Sequence, residues 1–470
     1  MAFTIKDYSS NLADSSYNVI GWEVNTGSER ESKLSSKVFT LPRGMRDVEA
    51  EEMSRRVWVY DRIREVVCRY GFEMVEPTTI ENLETLEAKS GAGIRNEIYW
   101  FKDKGGRDLG LRFDLTVGLA RMVANRYDLP EPIKLATIGG NWRYDEPQFA
   151  RYRYFTQWDV EVFGSSSPLA DAEVICVGAD ILDSVGLKGS IIRISNRKLA
   201  EAYLRQVGIE PQEKLEQSLR IIDKVRKTDR QHLEQEFRTL GIDDKTIEAI
   251  FAYVSIKGSP RDVLNQLASL SFTESEARKG LEELETLADA LAAFGRLDGS
   301  IYDMSIVRGI GYYDGIVFEG FDREGEDVGS IFGGGRYDKL CKIYGKRDIP
   351  ATGVAGGVER LMISLERAGL FPKGRLGAKV FIATVEQGLR LQAIRLAQTL
   401  RDNGIATDFD LKGRALGKQI EYVNSTKIPY LIVLGQKEVQ SKTVKLKQMA
   451  TGAETEVQLE GLVGKLNSLT

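Results

Sequence analysis

Histidine is nearly missing. The chain has one, His232, in a charged helical stretch, which excludes His-based metal sites and Ser-His-Asp triads. Cysteine is scarce too: Cys68, Cys176 and Cys341 lie far apart without CxxC spacing. That argues against protein-bound zinc and against a disulfide framework, and it suits a cytoplasmic location. Neither sign of charge dominates. With 65 Lys and Arg against 69 Asp and Glu the formal charge is -4, so no global basic field announces nucleic acid and any such contact must rest on local patches. No apolar run approaches the ~20 residues of a membrane span, and the charged-then-apolar signal pattern is lacking, so no membrane partner is expected. The GxGxxG and GxxxxGK[ST] phosphate fingerprints are absent as well.

What is present is a chain of 470 residues, long enough for roughly three domains. Residues 1–38 are polar and Ser-rich and read as a loosely ordered extension. Val59, Ile63, Val66 and Val67 line one face of a predicted helix from Glu49 to Tyr70, ended by Gly71. Strands are expected at Ile98 to Lys102 and Leu109 to Phe113, joined by a GGR turn, with a helix starting near Thr116. Asp114 and Thr116 thus stand where a strand stops and a helix starts, a place for helix caps or for groups facing a ligand. Residues 199 to about 295 are almost continuously helical by periodicity, an insertion between two β-type regions. Beyond the linker at 371–377, a buried-type strand, a helix and a second buried-type strand predict a small α/β domain with a mixed sheet.

The centre of the chain is Arg143 to Phe163, RYDEPQFARYRYFTQWDVEVF. With the apolar run Ile133 to Ile138 it predicts two antiparallel strands joined by a long loop. Trp158, Val160 and Val162 point one way, and Gln157, Asp159 and Glu161 the other, with Phe155 at the end of their row. Such a polar row is either solvated or a site. Arg143, Arg151 and Arg153 beside it supply guanidinium forks suited to phosphate. Two further arginines fit the same picture. Arg308, in VRGIGYY, is a surface residue or a site cation, and Arg360, in GGVERL near a helix start, is an ion-pair partner or part of an anion site. Gly333 to Gly335 serve tight strand packing or a ligand's approach to bare backbone. Together, arginines 143, 308 and 360 with polar groups at 114, 157 and 161 suit a triphosphate on one side and an amino-acid zwitterion on the other.

Over about residues 40 to 470 the sequence resembles the histidyl-tRNA synthetases, class II aminoacyl-tRNA synthetases, in their archaeal and eukaryotic form. PRGMRDVEAEE with FEMVEPT is similar to motif 1, WRYDEPQFARYRYFTQWDVEVFG to motif 2, and GVAGGVERL to motif 3. LRFDLT at 111–116 resembles the segment that holds the substrate amino group. VRGIGYYDGIVFE and FGGGRYDKL resemble the two histidine-specific signatures, and ALGKQIEYVNSTKIPYLIVLG at 415–435 the anticodon-binding domain.

The resemblance implies an α+β fold: an antiparallel catalytic sheet flanked by helices, a helical insertion and a C-terminal α/β anticodon-binding domain. Its divisions are an extension to 38, catalytic core at 39–198 and 296–370, the insertion at 199–295 and the anticodon domain at 378–470. It implies a ligase that joins L-histidine to tRNA-His, with ATP as substrate, Mg2+ accompanying ATP, and a cytoplasmic homodimer. Arg308 and Arg143 would be catalytic. Asp114, Leu115, Thr116, Arg143, Gln157, Glu161, Arg308, Tyr312 and Tyr313 would bind histidine, Glu161 and Tyr313 gripping the two imidazole nitrogens. Arg143, Asp145, Phe155 and Arg360 would bind ATP, with Phe155 on adenine and Arg360 at the γ-phosphate. Where the family usually carries Asp before the tyrosine pair, this chain has Gly311. The main alternative is a non-catalytic paralogue that regulates histidine biosynthesis, and a weaker one is a synthetase for another amino acid. Lys412, Arg414 and Lys418 are candidate RNA contacts or a solvated face.

Overall fold

The apolar stripe Val59, Ile63, Val66 and Val67 is the buried face of the helix Ala50–Arg69. It packs on a large sheet in a computed structural model that describes residues 39–90, 92–144, 146, 152–308, 312–323, 328–372 and 376–469. Residues 1–38, with the expected extension, lie outside the described residues, as do Asp145, Arg151 and Gly311. Residues 39–46 belong to a separate unit and contain a turn in which Met45 N–H donates to the Pro42 carbonyl. The second unit spans Asp47–Thr470.

The large sheet has nine strands in the order β1-β5-β6-β12-β11-β10-β7-β9-β8. In chain order these are β1 (Glu73–Met74), β5 (Ile133–Trp142), β6 (Tyr154–Phe163), β7 (Ile191–Asn196), β8 (Lys257–Gly258), β9 (Ser300–Asp303), β10 (Ile316–Phe321), β11 (Phe332–Arg336) and β12 (Ala351–Gly357). Among the described residues, only the β1–β5 and β7–β9 pairs of this sheet are parallel. The hairpin around the central stretch forms as its alternation predicts, with Glu161 opposite Leu135 and Phe155 opposite Asn141. A small sheet of β2 (Ile80–Asn82), β3 (Trp100–Lys102) and β4 (Asp108–Leu111) carries the GGR hairpin.

One face of the large sheet is covered by the helix Pro168–Ser184, which is apolar nearly all round and so must be enclosed. Val174, Ile175, Val177, Ile181 and Leu182 are fully buried in one core with Trp158, Val160 and Val162. Ser167 caps that helix and Pro168 starts it. The expected helical stretch runs from Arg197–Gln206 to Ser275–Ala293. Its apolar faces, including Leu215, Leu219, Phe237 and Leu284, join the same core, and its β8 extends the sheet edge.

The C-terminal part is a mixed sheet of β13 (Val380–Thr384), β14 (Thr407–Phe409), β15 (Tyr430–Leu434), β16 (Thr443–Gln448) and β17 (Glu454–Gln458). Its interior strand β13, between β14 and β15, is parallel to both neighbours and buried throughout, as a strand covered on two faces must be. Val380 and Ile382 pack toward the helix Arg390–Asp402, Phe381 and Ala383 toward the helix Leu416–Thr426. The α+β architecture expected from the sequence is the one observed. No helix among the described residues is long and apolar enough to cross a membrane.

Candidate active site

Because β6 sends Trp158, Val160 and Val162 into the core, its other face is left for Phe155, Gln157 and Glu161. These three line a cavity of about 470 Å³ with Asp114, Thr116, Arg143, Arg308, Tyr312, Tyr313 and Arg360. Ten of the expected site residues, drawn from five separate stretches of chain, therefore meet in one place. Leu115 does not line it. Its side chain is fully buried near Gly139.

Glu161 is 2 % exposed and accepts a hydrogen bond from the Tyr337 hydroxyl. Burial, and then the Glu161 charge, hold the Tyr337 phenol far above its ordinary range, so it stays a donor. Glu161 faces Gly353 across the β6–β12 ladder. A Cβ on Gly353 would overlap Glu161 Oε2. The glycines of motif 3 thus make room for a side chain from the neighbouring strand. Tyr313 stands in the same cavity, its hydroxyl 3.4 Å from that of Tyr312.

Asp159, in the middle of the polar row, is fully buried and does not line the cavity. It accepts from Thr116 Oγ1 at 3.1 Å. Asp114 combines the two roles foreseen for its position: Oδ1 accepts from Val117 N–H at 3.0 Å at the helix start, and the residue faces the cavity. Gln157 Oε1 is steadied by Asn141 Nδ2 at 3.1 Å.

Arg308 adopts φ of 48°, in the left-handed region that non-glycine residues seldom enter. Its Nη1 meets Glu319 Oε1 at 3.1 Å, and a Cβ on Gly333 would overlap that same Nη1. Burial opposes the Arg308 charge, but Tyr313, Glu319, Tyr312 and Asp223 outweigh it and raise the pKa, so the group is always a cation. At the other end, the Arg143 guanidinium lies 4.8 Å from the Phe155 ring centroid and its Nε donates to the Phe113 carbonyl at 3.1 Å. Arg360, third in the helix Val358–Arg367, donates to the Ser330 carbonyl at 3.0 Å. Its neighbour Glu359 is held by Arg56 at 3.0 Å and by the Thr156 N–H. Arg153, expected beside the phosphate forks, is instead buried with its guanidinium 4.3 Å from the Tyr144 ring.

A family model described as histidyl-tRNA synthetase matches residues 44–361, and one described as anticodon binding domain matches 379–469. The chain belongs to the histidyl-tRNA synthetase family. Histidine--tRNA ligase of Pyrococcus furiosus is 37% identical over 422 residues, 90% of this chain and 97% of that protein. The ligase of Haloarcula marismortui is 33% identical over 430 residues, 91% of this chain and 97% of that protein. Among solved structures, histidyl-tRNA synthetase from a Nostoc species superposes with a TM-score of 0.81 at 28% identity, covering 92% of this chain and all (100%) of that one. A Bacillus halodurans chain titled as an ATP phosphoribosyltransferase regulatory subunit or histidyl-tRNA synthetase has a TM-score of 0.72 at 24% identity, covering 85% of this chain and 99% of that one, and shows the shared fold alone. Near full-length likeness to ligases, with the anticodon-binding region present, does not favour the regulatory alternative.

Reading motifs alone missed Tyr152, Lys227, Tyr337 and Glu359, which also line the synthetase cavity. Tyr337 had a signal: it follows Gly333 and Gly335 at strand spacing and so shares their face. Lys227 had none, since it comes from the helical insertion. Among the described residues no group of three or more His, Cys, Asp or Glu is placed to hold a metal.

Proposed function

We infer that this one cavity performs adenylation and transfer, and that the residues above divide the work. The chain is a histidine–tRNA ligase: it activates L-histidine with ATP and passes the histidyl group to the 3′ end of tRNA-His. The observation that carries the assignment of roles is the meeting of Glu161, anchored by Tyr337, with Tyr313 and three arginines in a single pocket. An imidazole has one N–H donor and one acceptor nitrogen. Glu161 accepts from the first and the Tyr313 hydroxyl donates to the second, so a side chain lacking them leaves buried polar groups unpaired.

Asp114, Thr116 and Gln157 take the α-amino group, with the Leu115 backbone between the first two. Arg143 spans the substrate carboxylate and the ATP α-phosphate, Phe155 stacks on adenine and Arg360 reaches the γ-phosphate. Asp145 completes the ATP contacts as a proposal from the family motif. As the carboxylate attacks in line, charge builds on the α-phosphate and Arg308 meets it; pyrophosphate leaves. A ribose hydroxyl of the tRNA end then attacks the acyl carbon and AMP leaves. Mg2+ enters with ATP, its oxygen ligands supplied by phosphates. The pocket suits such a carried ion, since Glu161 and Glu359 are already engaged by Tyr337, Arg56 and the Thr156 amide. The enzyme is further read as a cytoplasmic homodimer, with motif 1 as its interface.

The test is exchange of labelled pyrophosphate into ATP, run with histidine and a panel of other amino acids on the native chain and Arg308→Ala. Exchange with histidine alone, lost in the variant, is the expected result. Exchange with another amino acid would overturn the roles of Glu161 and Tyr313, and full exchange in the variant would overturn that of Arg308.

A further inference from the structure

The carboxylate of Glu319 has two partners. Oε1 lies 3.1 Å from Arg308 Nη1, and Oε2 lies 3.6 Å from Arg226 Nη1. Arg226 belongs to the turn between the helices Gln212–Ile222 and Arg230–Thr239 of the helical insertion. Its guanidinium also sits 4.5 Å from the ring centroid of Phe321, two residues from Glu319 on β10 and so on the same face. Its sequence neighbour Lys227 lines the cavity, and Asp223 from the same turn adds to the field on Arg308. One carboxylate therefore joins a cavity arginine to the insertion.

The sheet makes this arrangement possible. Glu319 faces Gly333 in the β10–β11 register, and the bare backbone at Gly333 is the space that Arg308 Nη1 fills. A side chain there would push the guanidinium off Glu319. Arg308 lies in irregular backbone beyond the end of β9, in a left-handed conformation, so no strand ladder fixes the guanidinium's direction, and Glu319 is a charged anchor for its end. The anchor has a cost for function. A carboxylate bound to a guanidinium cancels part of the field that the cation exerts on a phosphate, and a second cation on the far oxygen restores part of it.

We propose that Glu319 is the positioning residue for Arg308 and that Arg226, by sharing this carboxylate, couples the seating of the helical insertion to the cation that acts on the α-phosphate. With the insertion's turn seated, Arg226 draws on Glu319 and Arg308 is aimed but released toward substrate. With the turn withdrawn, Glu319 turns wholly to Arg308 and adenylation slows. The proposal rests on the reading of Arg308 as the cation at the reacting phosphate.

The experiment is a double-mutant cycle on the full-length chain, read by histidine-dependent pyrophosphate exchange with kcat and KM for ATP and histidine resolved. Arg226→Ala lowers kcat by about fivefold or more, within the usual range of site-to-site coupling, with little change in KM for histidine. Glu319→Gln lowers kcat further, up to on the order of a hundredfold, as misplacing a catalytic group by about an ångström does, and Glu319→Asp recovers part of it. In the Glu319→Gln background, Arg226→Ala has no further effect. Independent losses that multiply in the double variant overturn the coupling, and an unchanged kcat in Glu319→Gln overturns the positioning role. Arg308→Ala is run alongside. If it retains exchange, the reading of Arg308 has failed; if exchange is lost while the cycle is multiplicative, only the present proposal has.

Discussion

At the scale of single residues, the specificity of the pocket depends on atoms that are not there. Glu161 lies over Gly353 and Arg308 over Gly333, in each case occupying the volume of a missing Cβ. Gly353→Ala is therefore expected to displace the Glu161 carboxylate and lower kcat/KM for histidine by on the order of a hundredfold. The KM for ATP and the circular dichroism should stay near those of the native enzyme; a variant with native histidine kinetics would show that Glu161 tolerates a shift. Tyr337→Phe is the companion change. It removes the donor of a buried acceptor, costing about 1–3 kcal/mol in histidine binding, read as a raised KM for histidine in pyrophosphate exchange. Motifs made the glycines visible, but they left open whether packing or ligand access required them. The answer, room for the Arg308 guanidinium at Gly333 and for a side chain of the next strand at Gly353, depends on tertiary placement and register, and alternation alone does not fix register.

Among elements, the decisive joint is that between the helix Ala50–Arg69, β6 and the helix Val358–Arg367. Arg56 and Glu359 pair at 3.0 Å with their side chains 4% and 7% exposed, and Glu359 also accepts from the Thr156 N–H on β6. Burial opposes the Arg56 charge, yet Glu359, Tyr60 and Glu52 raise its pKa overall. Removing one partner of a buried pair leaves the other charged and unmatched, at about 3–5 kcal/mol. Arg56→Met is expected to lower the denaturant midpoint accordingly and to weaken ATP use, because Arg360 follows Glu359 directly; an unshifted midpoint would refute the joint. Elements themselves were largely legible in the sequence. The alternation of β6 and the periodicities of the helices Ala50–Arg69 and Ser275–Ala293 are strong local signals. The joint was not, because Arg56 and Glu359 both sit in charged helical stretches where surface ion pairs are the ordinary outcome. Arg226 and Glu319 were hidden for another reason: one lies in a turn of the insertion and the other on β10, 93 positions apart in sequence.

For the whole molecule, burial of phenols sets an alkaline limit. Tyr253, Tyr302 and Tyr337 are at most 2% exposed, and in each burial is the leading cause of a pKa raised above its ordinary value. In the unfolded chain the same groups lose their protons near pH ~10. A folded pKa above the unfolded one means that the native state binds the proton more tightly. The stabilisation is whole below pH ~10 and is lost as pH climbs from there toward the folded values, by about 1.4 kcal/mol per pH unit for each such tyrosine. A phenol that stays in water in both states carries no such linkage. The phenolate absorbance should thus rise in two phases, a broad one near pH ~10 with circular dichroism intact, and a steep one coincident with unfolding. Gradual ionisation of all tyrosines in a folded chain would contradict this account.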